Sequence, residues 1–237
     1  MRRLASATLL TATLVLTGTG CSFDPNPRPD DGGVEQVGPT DDDREEPVSV
    51  ERGTADDATL SLTGRASSIT LGTDTDELLE VVATDPDSRP GIEQSDDTLV
   101  AALDGGAAVV RLADDVAWTV DLSAGAETVD ADLSATSVAG IVLDGGARSI
   151  ELTLPAPDGT STIDQRAGAD HLAIHLPDGV GARVTVTSGA GSVQIDGATT
   201  QGVGAGTVLT TDGFDEGGDH YDITVAGGRG SLTIDRV

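Results

Sequence analysis

His171 and His175 lie four residues apart in an alternating run, with Asp170 beside them. Two imidazoles and a carboxylate are the usual makings of a transition-metal site. On a strand, positions i and i+4 share a face, but they stand about 13 Å apart. Both imidazoles would have to reach one ion at about 2.1 Å, so the spacing predicts no metal site and no cofactor. His220 has no recognisable partner and reads as a surface residue. The densest acidic loop, Asp212-Gly-Phe-Asp-Glu-Gly-Gly-Asp219, lacks the ligand order of an EF-hand. It leaves only weak divalent-cation binding open, with turn formation and solubility as the plainer roles of its aspartates.

Nucleophilic chemistry has less support. No Gly-x-Ser-x-Gly elbow occurs, so the abundant serines lack the sharp turn that exposes a nucleophile. Asp130, Asp132 and Glu151 fall on outward positions of neighbouring repeats and could supply the paired carboxylates of a carbohydrate-active enzyme. No aromatic platform accompanies them, and a solvated face explains them better. Trp118 is in phase with Val120 and belongs to the core or a coil end. The sequence therefore assigns no catalytic residue and predicts a protein that is not an enzyme.

What must position these side chains is a repeat. Turn pieces Asp104-Gly-Gly-Ala107, Ser123-Ala-Gly-Ala126, Asp144-Gly-Gly-Ala147, Arg166-Ala-Gly-Ala169 and Ser188-Gly-Ala190 recur every 19 to 22 residues. Each precedes an alternating run, which places Val110, Val129, Ile150, Leu172 and Val193 at equivalent points. A second ladder (Val120/Leu122, Ile141/Leu143, Val184/Val186 and Ile223/Val225) keeps step with the first. Ile69/Leu71 and Leu232/Ile234 extend the first ladder about two periods beyond each end. Two ladders per period mean two short strands per repeat.

A period of about 21 residues suits a single-domain parallel β-solenoid over 58–237, with coils stacking at about 4.8 Å. Val, Ile, Leu and Ala point inward; Asp130, Asp132, Glu151, Thr153, His171, His175 and Gln194 point to solvent. An antiparallel β-sandwich is the alternative, because strands every 8 to 12 residues fit that too. Residues 72–97, Pro155-Ala-Pro157 and the stretch from Gly197 to Gly218 break the pattern. Excursions from a coil commonly form its binding surface. Gly227-Gly-Arg-Gly-Ser-Leu-Thr-Ile234 is superficially similar to the nonapeptide of calcium-binding β-rolls, but Ser231 stands where the ligating aspartate would be.

Charge narrows the partners. There are 13 Lys+Arg, all of them Arg, against 41 Asp+Glu, for a formal net charge of -28. Nucleic acid and anionic lipid surfaces both require a positive patch, so neither is expected as a partner. A lone cysteine, Cys21, precludes an internal disulfide framework.

Arg2 and Arg3 precede an apolar stretch from Leu4 to Leu16, then Thr17-Gly-Thr-Gly20 and Cys21. This is the layout of a signal peptide over 1–20, too short to span a bilayer. It resembles a bacterial lipoprotein signal, with Gly18 at the place usually held by a large aliphatic residue. The resemblance implies lipidation of Cys21 and attachment to the outer face of the cell membrane. Residues 21–57 hold five of the ten prolines and runs such as Asp41-Asp-Asp43. They are expected to form a disordered, self-repelling tether.

Within the repeats, Trp118-Thr-Val-Asp-Leu-Ser-Ala-Gly-Ala126, Val129-Asp-Ala-Asp-Leu133, Leu143-Asp-Gly-Gly-Ala147 and Ile150-Glu-Leu-Thr-Leu-Pro155 resemble the bacterial putative-adhesin domains. They are also similar to the C-terminal domain of LiaF-type envelope-stress proteins. Tyr221-Asp-Ile-Thr-Val225 and the run from Gly227 to Ile234 fit the way those domains end. The resemblance covers residues 98–237 and implies a β-solenoid exposed in the cell envelope, with an envelope protein or the cell wall as partner. It carries no catalytic residues. The functional expectation is a non-enzymatic lipoprotein for adhesion, scaffolding or sensing, with a LiaF-like regulatory role as the alternative. An envelope carbohydrate-active enzyme is the minor reading.

Overall fold

The computed structural model describes residues 47–237 apart from Pro86 and Arg229. The stretch read as a signal peptide, Cys21 and most of the 21–57 stretch read as a tether lie outside the described residues. Within them the chain forms nineteen β-strands in two facing sheets and no helix. Ordered pairing starts at β1 (Val48–Val50), inside the stretch read as tether.

Seven times the chain runs along one sheet, turns a corner of small residues and continues along the other. The pairs are β2 (Asp57–Arg65) with β3 (Ser68–Gly72), β6 (Thr98–Asp104) with β7 (Ala107–Leu112), and β8 (Ala117–Leu122) with β9 (Thr128–Asp132). They continue as β10 (Ser137–Leu143) with β11 (Ala147–Thr153), and β12 (Thr160–Gln165) with β13 (Ala169–Leu176). The last two are β14 (Gly181–Val186) with β15 (Ala190–Ile195), and β18 (His220–Val225) with β19 (Ser231–Arg236). Every contact between neighbouring rungs is a parallel ladder. The fold is thus a parallel β-solenoid, and the sandwich alternative fails on strand direction.

The rungs do not stack in chain order. Along both sheets the sequence is β6/β7, β2/β3, β8/β9, β10/β11, β12/β13, β18/β19, β14/β15. The first and last rungs are each inserted one place in from an end. Residues 113–116 therefore cross over the β2/β3 rung, and residues 177–180 cross over β18/β19. Each crossover is tied down. The Trp118 indole donates to Ala113 O at 2.9 Å, Thr136 Oγ1 donates to Val116 O at 3.0 Å, and Arg52 Nε pairs with Asp115 at 2.8 Å. At the other crossover Arg236 donates to Pro177 O at 3.3 Å and to Val180 O, and its Nε pairs with Asp196 at 2.9 Å. That hydrogen bond is the main reason the Asp196 carboxyl is held below its ordinary pKa.

The inward positions form aliphatic columns. One runs Ala108, Ile69, Val129, Ile150, Leu172, Leu232, Val193. The next runs Val110, Leu71, Ala131, Leu152, Ile174, Ile234, Ile195. Val110 thus stands one alternation away from the column of Val129, a correction to the phase read from sequence. The Asp104-Gly-Gly-Ala107 corner keeps the inward/outward parity but not the register. Ile69/Leu71 and Leu232/Ile234 belong to the columns as expected, but inside the stack rather than beyond its ends. Burying each Leu, Ile or Val side chain contributes about 1.5–3 kcal/mol, so stacked branched aliphatics hold the coil with few aromatic residues. Trp118 and Tyr221 are both fully buried. The Tyr221 hydroxyl donates to Pro155 O at 2.9 Å, and burial pushes its pKa well above the ordinary range.

One column carries an exception. Gln165 takes the inward place shared by Leu143 and Val225 and is only 2% exposed. Its Nε2 donates to Ala167 O at 2.7 Å and Gly227 O at 3.1 Å, joining two corners. Replacement by leucine would leave both carbonyls unpaired. Gln165→Leu is expected to cost about 1–3 kcal/mol despite the added apolar surface, which denaturant unfolding of the variant would measure.

Five antiparallel strands close the ends. At one pole β4 (Leu79–Ala83) pairs with β7, β1 pairs with β4, and β5 (Gly91–Ser95) pairs with β6. At the other, β16 (Ala198–Val203) pairs with β15 and β17 (Thr207–Thr210) with β14. Two of the three breaks seen in the sequence, 72–97 and Gly197 to Gly218, are these caps.

Candidate binding face

The sequence places its outward candidates on β9, β11, β13 and β15, and parallel pairing sets them in rows across one sheet. Thr128, Ser149, His171, Ser231 and Ser192 make one row. Asp130, Glu151, Ala173, Thr233 and Gln194 make the second, and Asp132, Thr153, His175 and Asp235 the third. Spacing along each row is about 4.8 Å, the separation of paired strands. All seven outward residues named from the sequence are exposed or half-buried. Rows of hydroxyls, amides and carboxylates at a fixed repeat on a stiff sheet can match a regular polar surface.

The histidines do not converge. His171 Nδ1 is 2.8 Å from Ser231 Oγ in its own row. His175 is bracketed by carboxylates from both neighbouring rungs: Nδ1 meets Asp235, and Nε2 lies 3.3 Å from Glu151 Oε1. Nε2 is shielded from solvent and lacks hydrogen-bond geometry to any partner. Asp235 was invisible as a partner in the sequence because β19 reaches β13 only through the inserted last rung. Its outward place in the Leu232-Thr-Ile234 alternation was the available signal.

His220 corrects the expectation of a surface residue. It is 3% exposed, its Nδ1 lies 2.7 Å from Gly218 O, and its ring meets Phe214 edge-on at 5.0 Å. The Arg183 guanidinium lies 5.8 Å from the Phe214 ring and forms a bidentate pair with Asp222. In the acidic loop from Asp212 to Asp219, Asp215 accepts from Gly217 N at 3.0 Å, Asp219 from Gly159 N at 2.9 Å, and Glu216 from Arg183 Nη1 at 3.0 Å. Among the described residues, no three His, Cys, Asp or Glu side chains converge well enough to hold an ion.

Asp130 and Glu151 are direct neighbours across rungs, and both are exposed. Like charges so placed repel, and that cost is tolerable only in water. At the pole capped by β1, β4 and β5, Asp74, Asp76, Glu77, Glu80 and Asp114 line an open cleft of about 600 Å³. Arg111 pairs with Glu80 there.

No family model matches the chain, and no curated protein matches it. A crystal structure of a "putative cell adhesion protein" from Clostridium sporogenes is similar, with a TM-score of 0.65 at 14% identity. The match covers 81% of this chain and 98% of that one. At that identity the likeness is one of fold. It spans almost the whole of the other chain, so the overall fold recurs in a second protein.

Proposed function

We propose that this protein is a non-enzymatic cell-envelope lipoprotein that presents its solenoid for adhesion, held to the outer face of the membrane by a lipid on Cys21. The observation that carries the reading is the set of in-register polar rows on a rigid sheet, in a chain whose first residues have the layout of an export signal. The fold shared with a protein described as a putative cell adhesion protein supports the same reading. So does the chemistry of the most enzyme-like group. The row Thr153, His175, Asp235 has the residue types of a hydrolytic triad. Yet Nε2, which would have to draw a proton from the hydroxyl, faces Glu151 and is closed to solvent. The group is a clamp across three rungs.

The anchor is tested by Cys21→Ala, which is expected to move the protein from the membrane fraction to the medium; unchanged fractionation refutes the lipid. Adhesion is tested by coating beads with the protein and measuring attachment to cell-wall material and to bacterial surfaces. Attachment should weaken when Asp130, Glu151 and Thr233 are replaced together by alanine. Attachment indifferent to these changes would remove the face from the reading.

A further inference from the structure

We infer that the pole formed by β16 and β17 pairs with the same pole of a second copy, so that two solenoids join end to end about a two-fold axis. The two poles differ sharply. Residues 73–97, at the β1/β5 pole, carry nine carboxylates and one arginine. At the other pole, the 28 residues from Val184 to Thr211 carry one charge, Asp196, and Arg236 pairs with it. Two molecules of net charge -28 repel at nearly every approach. This pole is the place where close contact costs least.

It is also unfinished. β16 and β17 are the outermost strands of their sheets, so one edge of each presents unpaired backbone groups. Proteins commonly blunt such edges with charge, proline or a very short strand. At the acidic pole β1 has three residues and follows Pro47, while β5 follows Pro90 and carries Glu93. β16 and β17 contain neither charge nor proline. Between them the mouth of the core stands open, a groove of about 230 Å³ lined by Val193, Ile195, Leu209 and Thr200, with Asp196, which Arg236 neutralises, and Asp212 also on its lining. Val208, on the outer face of β17, is 55% exposed.

A second copy answers all of these features at once. A two-fold axis perpendicular to both sheets reverses strand direction while keeping each sheet in its own layer. It sets β16 antiparallel to β16 of the second copy and β17 antiparallel to its β17. Such an isologous contact closes at two copies. It satisfies both edges, covers the open mouth and brings Val208 towards its counterpart on the second copy. The described chain starts at β1, on the opposite pole. β1 therefore stands at the far end of a stack about 43 Å long, the span of ten strands. With each chain anchored through Cys21, such a dimer would link two anchored surfaces. That adhesive consequence rests on the reading above; the pairing does not.

Sedimentation equilibrium of the full chain carrying Cys21→Ser, so that no lipid drives association, should give a two-fold mass that falls to one chain on dilution. Thr199→Glu and Val208→Glu each oppose like charges across the axis and should weaken the dimer at least about tenfold. Both sites are exposed, so circular dichroism should be unchanged. Ser95→Glu, on β5, should leave the dimer intact. A single-chain mass at every concentration overturns the proposal, as does a dimer indifferent to both edge changes. A dimer that fails to aggregate protein-coated beads keeps the pairing and removes its adhesive role.

Discussion

Deletion of residues 227–237 is expected to unfold the β14–β17 end of the solenoid rather than shorten it by one strand. In a coil stacked in chain order the last strand is an end piece, and its loss exposes a single edge. Here β19 lies between β13 and β15 and forms parallel ladders with both. Its removal opens a strand-wide gap within one sheet. Leu232 and Ile234 leave the middle of their columns, at about 1.5–3 kcal/mol each. Arg236 no longer holds the 177–180 crossover or pairs with Asp196. Limited proteolysis should then cut within 181–225, and the thermal transition should broaden or split. A truncated chain melting within about 4 °C of the full one, the shift expected for about 1 kcal/mol in a domain of this size, would contradict the inserted order.

The second large effect is expected from one methyl group. A Cβ on Gly145 would lie 2.0 Å from Ala124 O and 2.6 Å from its carbonyl carbon, both backbone atoms of the preceding corner. Gly145 N also donates to Leu122 O at 2.7 Å, so the corner cannot move away without breaking the ladder. Gly145→Ala is expected to cost about 1–3 kcal/mol, the range for overpacking a closely packed site. Gly168, in the next corner, has nothing within 4 Å of its Cβ position and no positive φ. Gly168→Ala should be neutral or stabilise by a few tenths of a kcal/mol, since it reduces the freedom of the unfolded chain. Equal effects from the two substitutions in denaturant unfolding would show that corner-to-corner contact does not govern these glycines.

The repeat was legible because burial imposes strict alternation on each strand and small-residue corners impose the period. From Val129 to Leu172 the spacing read from the sequence is the spacing of the columns. The outward set from Asp130 to Gln194 was legible for the same reason. Other features left no local trace. Gln165 broke a ladder because an amide at an aliphatic position looks like the absence of a strand, until two carbonyls are found to occupy it. His220 carried no local sign of burial, because Gly218 O and Phe214 reach it only through the fold of the loop.

The sequence by itself determined that the chain makes short strands with an aliphatic side and a polar side, every 19 to 22 residues, as an acidic coil. Alternation and turn chemistry are local and can be read without knowing what lies beside each strand. The tertiary structure alone decided which strands are neighbours. Because every rung offers nearly the same aliphatic surface, no local pattern says that β2/β3 and β18/β19 enter the stack one place in from its ends. That order brings Asp235 to His175, leaves Val110 in another column and makes β16 and β17, two strands without charge, the outer edges of one pole.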